Sequence, residues 1–258
     1  MEKGKMLLVS LGQGAGNIVD GLLNRNPRYN GLFINSSLFD IKPLKNADMT
    51  KNVYLYPGTD GSGRDRSKSK EMIKDNANAI GTLLSKYPLT EVVVVLTTMA
   101  GGTGSGAIKT FVQIVKKVLP NSKINVVAIL PSLKEDELAF KNTLECWNDI
   151  NSIMDLINDV KFVDNNKRNT YKEINNEVIE SLDLAYNIIG IHAYGTIDNK
   201  DSFKINTADG SGLILKLYDG LKDVKTAVDL AIKNSVFVQP DVYDLSLIHI
   251  SEPTRRSY

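Results

Sequence analysis

Four glycines fall within residues 100–106, between a stretch with the pattern of a buried strand (91–97) and one with helical periodicity (106–118). The loop therefore begins a helix at the carboxyl end of a strand. Backbone N–H groups without a helical partner and the positive end of the helix dipole make such a position an anion site. Glycines let the backbone approach a phosphate, and Thr103 and Ser105 add hydroxyl donors. A purely structural glycine turn is the alternative interpretation.

The rest of the chain alternates between strand-length apolar runs and helix-period stretches, which predicts an α/β fold with a doubly wound, mostly parallel sheet. The ligand crevice of such a sheet lies beyond the carboxyl ends of its strands. A long central helix (170–192) and the beginning of a smaller α+β second domain are expected to follow, with a short helix near Asp201, a strand at 213–218 and a helix at 221–234. The predicted strands of the sheet are 5–11, 31–35, 53–56, 91–97, 124–130 and 160–163, and the helices between them are 15–26, 69–87, 106–118 and 134–158.

Composition excludes several classes of protein. The chain has 258 residues, is 42% hydrophobic and has a net charge of +1, so it is expected to be globular without a bulk electrostatic attraction to nucleic acid or membrane. A single cysteine, Cys146, excludes an internal disulfide and a cysteine zinc cluster. The histidines are His192, expected to pack in the fold, and His249, so we expect no metal site built from side chains alone. No apolar run approaches the roughly 20 residues of a spanning helix, which predicts a cytoplasmic location.

A second glycine loop, residues 12–17, follows the first strand and precedes the first helix. Its Gly-x-Gly-x-Gly pattern alone is a weak indication of a dinucleotide-binding oxidoreductase. That class requires an acidic residue after the second strand to bind the ribose, whereas this chain has Asn35. Neither loop has the Lys-[Ser/Thr] pair of a P-loop. Two phosphate-type loops without either signature favour a third kind of nucleotide fold.

Residues 97–106 resemble the signature loop of the tubulin/FtsZ superfamily, with Ala100 where the superfamily usually has glycine. Residues 12–17, 33–37, 61–64 and 130–135 are similar to its other nucleotide loops, and 164–167 to the approach to its central helix. The resemblance implies GTP or GDP as ligand, bound with Mg²⁺. The nucleotide contacts it implies in these loops are Gly12, Gln13, Gly14, Asn17, Asn35, Gly61, Gly63, Ala100, Gly101, Gly102, Thr103, Gly104, Ser105 and Glu135.

Tyr171 and Asn175 are four residues apart on the predicted central helix and so share one face. The family uses this arrangement to stack an aromatic ring on guanine and to hydrogen-bond its edge; an ordinary solvated face is the alternative. The Gly-Gln-Gly opening, Ala100 and the Cys-Trp-Asn-Asp sequence at 146–149 resemble the plasmid and phage partition branch, TubZ. An FtsZ-like division protein is the nearest alternative.

Hydrolysis requires a group that polarises the attacking water, and the first domain offers no well-placed carboxylate for this role. In the family it comes from a second copy, and Asp198 and Asp201 have the corresponding spacing. An N-cap at Asp198 with a first-turn dipole partner at Asp201 is the alternative. Asn206 and Asp209 form a second candidate pair, and the basic residues Arg64, Arg66, Lys68 and Lys70 are expected to form a phosphate sensor or a solvated face.

The resemblance implies a GTP-binding domain at 1–164, a nucleotide-contacting central helix at 165–194 and the start of a truncated second domain at 195–245, with 246–258 as a probable non-native tail. A nucleotide on one face and its catalytic acid on the other imply head-to-tail filaments. The expected function is a tubulin-like GTPase that hydrolyses GTP within the polymer and segregates plasmid or phage DNA. Its expected partners are other copies of itself and a TubR-like adaptor bound to a centromere, with no direct contact to nucleic acid.

Overall fold

The computed structural model describes residues 4–188, 196–210, 212, 214–215 and 223–238. Six strands form one sheet in the order β3-β2-β1-β4-β5-β6, and every neighbouring pair is parallel. The predicted α/β class is confirmed, with an all-parallel sheet. The strands are β1 (Met6–Leu11), β2 (Asn30–Asn35), β3 (Val53–Leu55), β4 (Val92–Thr98), β5 (Lys123–Ile129) and β6 (Asp159–Val163).

Nine α-helices are present in the part of the chain that the structure describes. They are α1 (Gln13–Arg25), α2 (Leu38–Ile41), α3 (Arg66–Asp75), α4 (Ala77–Leu84), α5 (Thr103–Val118), α6 (Glu137–Asn151), α7 (Tyr171–Tyr186), α8 (Asn199–Asn206) and α9 (Val224–Asn234). Within these residues, no helix is long and apolar enough to span a bilayer.

Alternate side chains of the central strands enter two separate cores. Val93 and Val95 of β4 pack with α3, α4, α5 and α6 on one face, while Val92, Val94 and Leu96 pack with α1, α2 and α7 on the other. Strands covered on both faces have no polar side, which explains the continuous valine run. The carboxyl ends of all six strands meet at one edge, where the loops with the predicted site residues emerge.

Two predicted helices have different bounds in the structure. The single helix predicted at 69–87 is wrong: α3 ends at Asp75 and α4 begins at Ala77. Asn76 lies between them, donating its side-chain amide to the Met72 carbonyl oxygen (2.8 Å) and accepting from the Tyr54 hydroxyl (2.6 Å), so its side chain competes with the helical hydrogen bonds. The helix predicted at 134–158 is shortened to α6, because Asp136 caps its start and a 3₁₀ turn (Met154–Leu156) follows its end.

The predicted central helix is α7, which ends at Tyr186. Residues 189–195, which include His192, and the predicted tail at 246–258, which includes His249, lie outside the described residues. Of the strand predicted at 213–218, residues 214 and 215 are described and are not in a strand. The two helices predicted in the second domain correspond to α8 and α9.

Candidate functional site

Five loops meet at the carboxyl edge of the sheet, and we number them along the chain. They are the first loop (12–17), the second (35–37), the third (56–65), the fourth (99–106) and the fifth (130–136), where the first and the fourth include the opening turns of α1 and α5. They follow β1, β2, β3, β4 and β5, so neighbouring strands bring them together. The Gly12 N–H donates to the Ile34 carbonyl oxygen near the end of β2 (2.9 Å), and the Gly61 N–H donates to the Ser36 carbonyl oxygen (2.8 Å), which joins the third loop to the second.

The first and fourth loops lie directly against each other at Gly104. A β-carbon on Gly104 would lie 2.6 Å from Thr97 Oγ1 and closer still to the carbonyl oxygen of Leu11, the last residue of β1. Gly12, with a φ of 83°, occupies the left-handed region that favours glycine, and a β-carbon there would be 3.4 Å from the Gly104 nitrogen. The glycines therefore permit a backbone approach that no other residue would allow.

The helices that begin at these two loops have free first turns. No side chain caps α1 or α5, and neither has an acidic residue in its first turn. In α3, α6, α7, α8 and α9 a side-chain oxygen accepts from the first-turn amides, whereas α4 has no such cap and begins directly at the end of α3. The residues that supply these oxygens are Asp65, Asp136, Thr170, Asp198 and Asp223. Unsatisfied amides at two adjacent helix starts can bind two anionic groups.

Three hydroxyl side chains connect the second, third and fourth loops. Thr103 Oγ1 lies 2.7 Å from Ser36 Oγ and donates to Ser62 Oγ (3.1 Å). Asn35 is buried, and its Oδ1 accepts from the N–H groups of Ser36 (2.7 Å) and Ser37 (3.2 Å). Asn35 thus orders the turn of the second loop, while its predicted contact with a nucleotide stays a prediction.

The third loop bends through a run of left-handed residues. Gly61, Gly63 and Arg64 have φ values of 94°, 62° and 63°. The Arg64 guanidinium donates two hydrogen bonds to the Asp136 carboxylate, at 2.8 and 2.9 Å, and holds the pKa of that carboxyl below its usual range. Arg64 is therefore paired across to the fifth loop.

The fifth loop meets the start of α7. The Tyr171 hydroxyl donates to Glu135 Oε1 (3.3 Å), which also accepts from the Ser132 N–H (3.2 Å). The Tyr171 side chain is half exposed, and desolvation together with the Glu135 charge raises its pKa. Asn175 lies one turn further along α7. The structure thus brings together the residues expected to bind ribose and base.

Ser105 differs from the expectation that its hydroxyl would bind phosphate. Its side chain is fully buried; the hydroxyl donates to the Gly101 carbonyl oxygen and accepts from Arg66 Nε (3.1 Å). The predicted basic cluster is also wrong for Arg66, whose side chain is 3% exposed. The sequence did contain a signal for this arrangement, because Glu145 and Asp149 are one turn apart on α6 and present two carboxylates on one face.

Asp198 and Asp201 are exposed and form a capping box at the start of α8. Asp198 Oδ1 accepts from the N–H groups of Lys200 (2.7 Å) and Asp201 (2.9 Å), whereas Asp201 Oδ2 accepts only at 3.4 Å, from the Asp198 N–H. The capping interpretation therefore describes Asp198 well. Asp201 has the less engaged carboxylate.

The other end of α8 is attached to the amino edge of the sheet, opposite the five loops. The buried Asn125 side chain, near the start of β5, donates to the Asn206 carbonyl oxygen (2.6 Å), and Asn206 Nδ2 donates to the Ala185 carbonyl oxygen (3.1 Å). The second candidate pair is thus wrong for Asn206, which is buried and structural. The hydrogen bonds that the Asp198 and Asp201 carboxylates accept all lie within the first turn of α8.

An apolar hollow of about 370 Å³ lies beside α6 and offers no charged donor. It is therefore not a competing phosphate site. Its lining residues are Met99, Leu130, Phe140, Thr143, Leu144, Trp147 and Phe162.

Comparison with known proteins agrees with this geometry. Residues 5–170 match the model of the Tubulin/FtsZ family, GTPase domain. The tubulin-like protein TubZ of a Clostridium botulinum C phage is 34% identical over 240 residues, which cover 92% of this chain; the match spans 66% of the length of that relative. The chain therefore spans just under two thirds of this relative.

Two solved structures extend the comparison. The Clostridium botulinum phage c-st TubZ, in a form with a truncated C-terminal tail, superposes with a TM-score of 0.85 and 32% identity, covering 93% of this chain and 78% of that one. A GTPγS-form protofilament of Bacillus thuringiensis serovar israelensis TubZ has a TM-score of 0.70 at 18% identity, covering 81% and 64%. The second likeness concerns the fold alone.

Proposed function

Because the chain belongs to the Tubulin/FtsZ family, we propose that it binds GTP in the cleft formed by its five loops and hydrolyses it in contact with a second copy. One observation carries the proposal: α1 and α5, the two long helices whose first turns face the cleft, have no side-chain cap. Gly12 and Gly104 bring these two turns together. A chain of phosphates supplies the adjacent anions that two such turns bind.

The base and ribose would lie on the other side of the cleft, against the fifth loop and α7. Glu135, which accepts hydrogen bonds there, would bind the ribose hydroxyls, and Tyr171 presents a half-exposed ring. Asn175, on the same face of α7, offers an amide that pairs with the donor and acceptor edge of guanine. Mg²⁺ bound to the phosphates would neutralise part of the charge that develops on the γ-phosphate.

Hydrolysis would be completed by the second copy. A water attacks the γ-phosphorus, the bond to the β–γ bridging oxygen breaks, and the proton of the water passes to the carboxylate of Asp201 in the docked copy. The products are GDP and phosphate. The position of α8 at the amino edge supports this arrangement, because the acid and the cleft lie at opposite ends of the sheet. Such a contact is heterologous and propagates head to tail.

The biological role that we propose is segregation of plasmid or phage DNA by these filaments. The similarity to a phage TubZ supports it, and the net charge of +1 supports contact with DNA through a TubR-like adaptor rather than directly. An FtsZ-like role in division is the alternative of the same fold, and the neighbouring genes would discriminate between them. A small DNA-binding gene beside a repeat array favours segregation, and a division cluster favours the other role.

The first test is nucleotide identity, since the strand order alone is also that of dinucleotide-binding domains. We expect a titration to detect GTP binding and no NAD⁺ binding. Asn175→Ala is expected to weaken GTP binding by about tenfold, the cost of roughly one lost hydrogen bond to the base. Asn176→Ala is the matched control, because Asn176 is exposed and lies about 100° around α7 from Asn175. Binding of NAD⁺, or equal losses in both variants, would contradict the assignment.

The second test is assembly. With GTPγS the protein is expected to sediment as polymer, and with GDP to remain in the supernatant, because the γ-phosphate orders the third loop beside the contact surface. Pelleting at increasing protein concentration, with electron microscopy of the pellet, measures this. Absence of nucleotide-dependent polymer at high concentration would remove the filament from the proposal.

A further inference from the structure

Arg66, the first residue of α3, is a buried arginine whose guanidinium reaches two other helices. Its Nη1 donates to Glu145 Oε2 (2.8 Å) and its Nη2 to Asp149 Oδ2 (2.6 Å), both on α6. Its Nε donates to Ser105 Oγ (3.1 Å) and its Nη2 also to the Ser105 carbonyl oxygen (2.9 Å), in the first turn of α5. Burying a charged side chain is costly unless it is paired, so these four hydrogen bonds fix the position of the Arg66 guanidinium.

Ser105 connects the Arg66 guanidinium to the fourth loop. Its hydroxyl accepts from Arg66 and donates to the Gly101 carbonyl oxygen. This hydrogen bond holds the Gly101 carbonyl group in place within the fourth loop, whose amides would face the phosphates. The two carboxylates on α6 hold the guanidinium from the other side, and Lys70 also pairs with Asp149 (2.8 Å).

The same contact region joins the fourth loop to the third. Arg66 follows the third loop directly, and a β-carbon on Gly106 would lie 2.5 Å from the Arg66 carbonyl oxygen. Ser69 Oγ, one turn further along α3, donates to the Thr103 carbonyl oxygen (2.6 Å). Asn142 of α6 donates to the carbonyl oxygens of Arg64 (3.0 Å) and Ala100 (3.1 Å), which fastens both loops to the same helix.

We propose that Arg66 is a positioning residue for nucleotide state: through Ser105 it fixes the fourth loop against the third, and so sets the preference for a nucleoside triphosphate over a diphosphate. The inference rests on the proposed GTP site. Arg66 touches no nucleotide. Its effect reaches the γ-phosphate through the spacing of the two loops, whereas a diphosphate engages only the helix starts. A guanidinium is required because it donates to four acceptors at once, namely the Ser105 hydroxyl and carbonyl and the two carboxylates, whereas an ammonium has only three N–H groups.

A double-substitution cycle tests the proposal on the ratio of the GDP and GTPγS dissociation constants. Arg66→Lys keeps the charge for Glu145 and Asp149 but loses the fork on Ser105; Ser105→Ala keeps the arginine but removes the hydroxyl. Each is expected to lower the preference for GTPγS by about fivefold, and the double variant also by about fivefold rather than 25-fold, since both remove one connection. Arg25→Lys, whose exposed pair with Asp183 lies away from the loops, is the control and should leave the ratio unchanged.

Thermal unfolding separates this role from general support of the fold. If Arg66→Lys unfolds, Ser105→Ala alone still decides, because it leaves the buried charges paired. Equal weakening of both nucleotides with an unchanged ratio would overturn the inference, as would additive losses in the double variant. If the unsubstituted protein binds neither guanine nucleotide, the proposed function itself fails, and the inference fails with it.

Discussion

GTP turnover is expected to fall by about two to four orders of magnitude in Asp201→Asn, while GTP affinity stays within about twofold, because a positioned general base contributes a factor of that size to the chemical step alone. Asparagine keeps the shape of the side chain and an oxygen that accepts from the Asp198 N–H. The binding cleft is unaffected, since α8 is attached at the opposite edge of the sheet. Phosphate release and a binding titration on the same preparation measure the two quantities.

Two further substitutions on this side of the molecule serve as controls. Asp198→Ser removes a carboxylate but keeps a good N-cap, so α8 should persist and turnover should fall less than in Asp201→Asn. Asp209→Asn changes a residue that accepts from the Asn158 side chain (2.7 Å), and turnover should not change. Normal turnover in Asp201→Asn would show that the acid is elsewhere, and loss of GTP binding would show that the cleft is misplaced.

Protein concentration distinguishes an acid supplied by a second copy from one in the same molecule. If Asp201 acts on the nucleotide of a neighbour, turnover per molecule rises with concentration until assembly is complete. A rate per molecule that is independent of concentration would place the acid within one chain. The same measurement on Asp201→Asn should give a low rate at every concentration although the variant still assembles with GTPγS.

The sheet was predictable because its signals are local. A strand buried on both faces must be apolar at every position, and the continuous valine run at 92–95 meets that condition. The glycines at the starts of α1 and α5, Gly12 and Gly102, lie within four residues of the ends of β1 and β4, so the edge at which the loops gather followed from the sequence.

The helix bounds were less predictable where one side chain decides them. The break at Asn76 depends on a partner, Tyr54, that is distant in sequence, and periodicity alone runs through it. The start of α6 is set by Asp136, which caps the helix through a local contact with the Ala139 N–H and also pairs with Arg64. The break at Asn76 is a tertiary choice that periodicity does not contain, whereas the cap at Asp136 is a local signal.

The residues of the candidate site also include some that were predictable from the sequence and some that were not. The glycines were predictable because phosphate binding requires the backbone to come close to the ligand, which glycine permits. Glu135 and Tyr171 were predictable by resemblance, and they are in contact. The direction of the Ser105 side chain was not predictable, since it depends on a buried arginine from another helix. Hydroxyls in a glycine loop have two possible uses, and only the packing of α3 and α6 against the loop determines which one applies.

Gly104→Ala is expected to weaken GTP binding by about a hundredfold or more, the largest effect that we expect from adding one methyl group to this chain. The new carbon would press on the Leu11 carbonyl oxygen and lie 2.6 Å from Thr97 Oγ1. Neither neighbour can yield easily, because Leu11 is the end of a central strand and Thr97 is buried beside it. The first turn of α5 must move away from β1, and its amides then no longer align with those of α1.

Two glycine controls separate this displacement from a general loss of stability. Gly31, at the amino end of β2, is also crowded, but by the flexible Leu23 side chain of α1, so Gly31→Ala should lower the melting temperature and leave GTP affinity unchanged. Gly101→Ala lies in the fourth loop itself, where the nearest atom would be Thr98 Oγ1 at 3.2 Å, and its loss of affinity should be much smaller. GTP affinity in Gly104→Ala equal to that of the unsubstituted protein would mean that the fourth loop does not bind the phosphates. The combination of a lowered affinity at Gly104 and a retained affinity at Gly31 is specific to a phosphate cradle built from two converging helix starts.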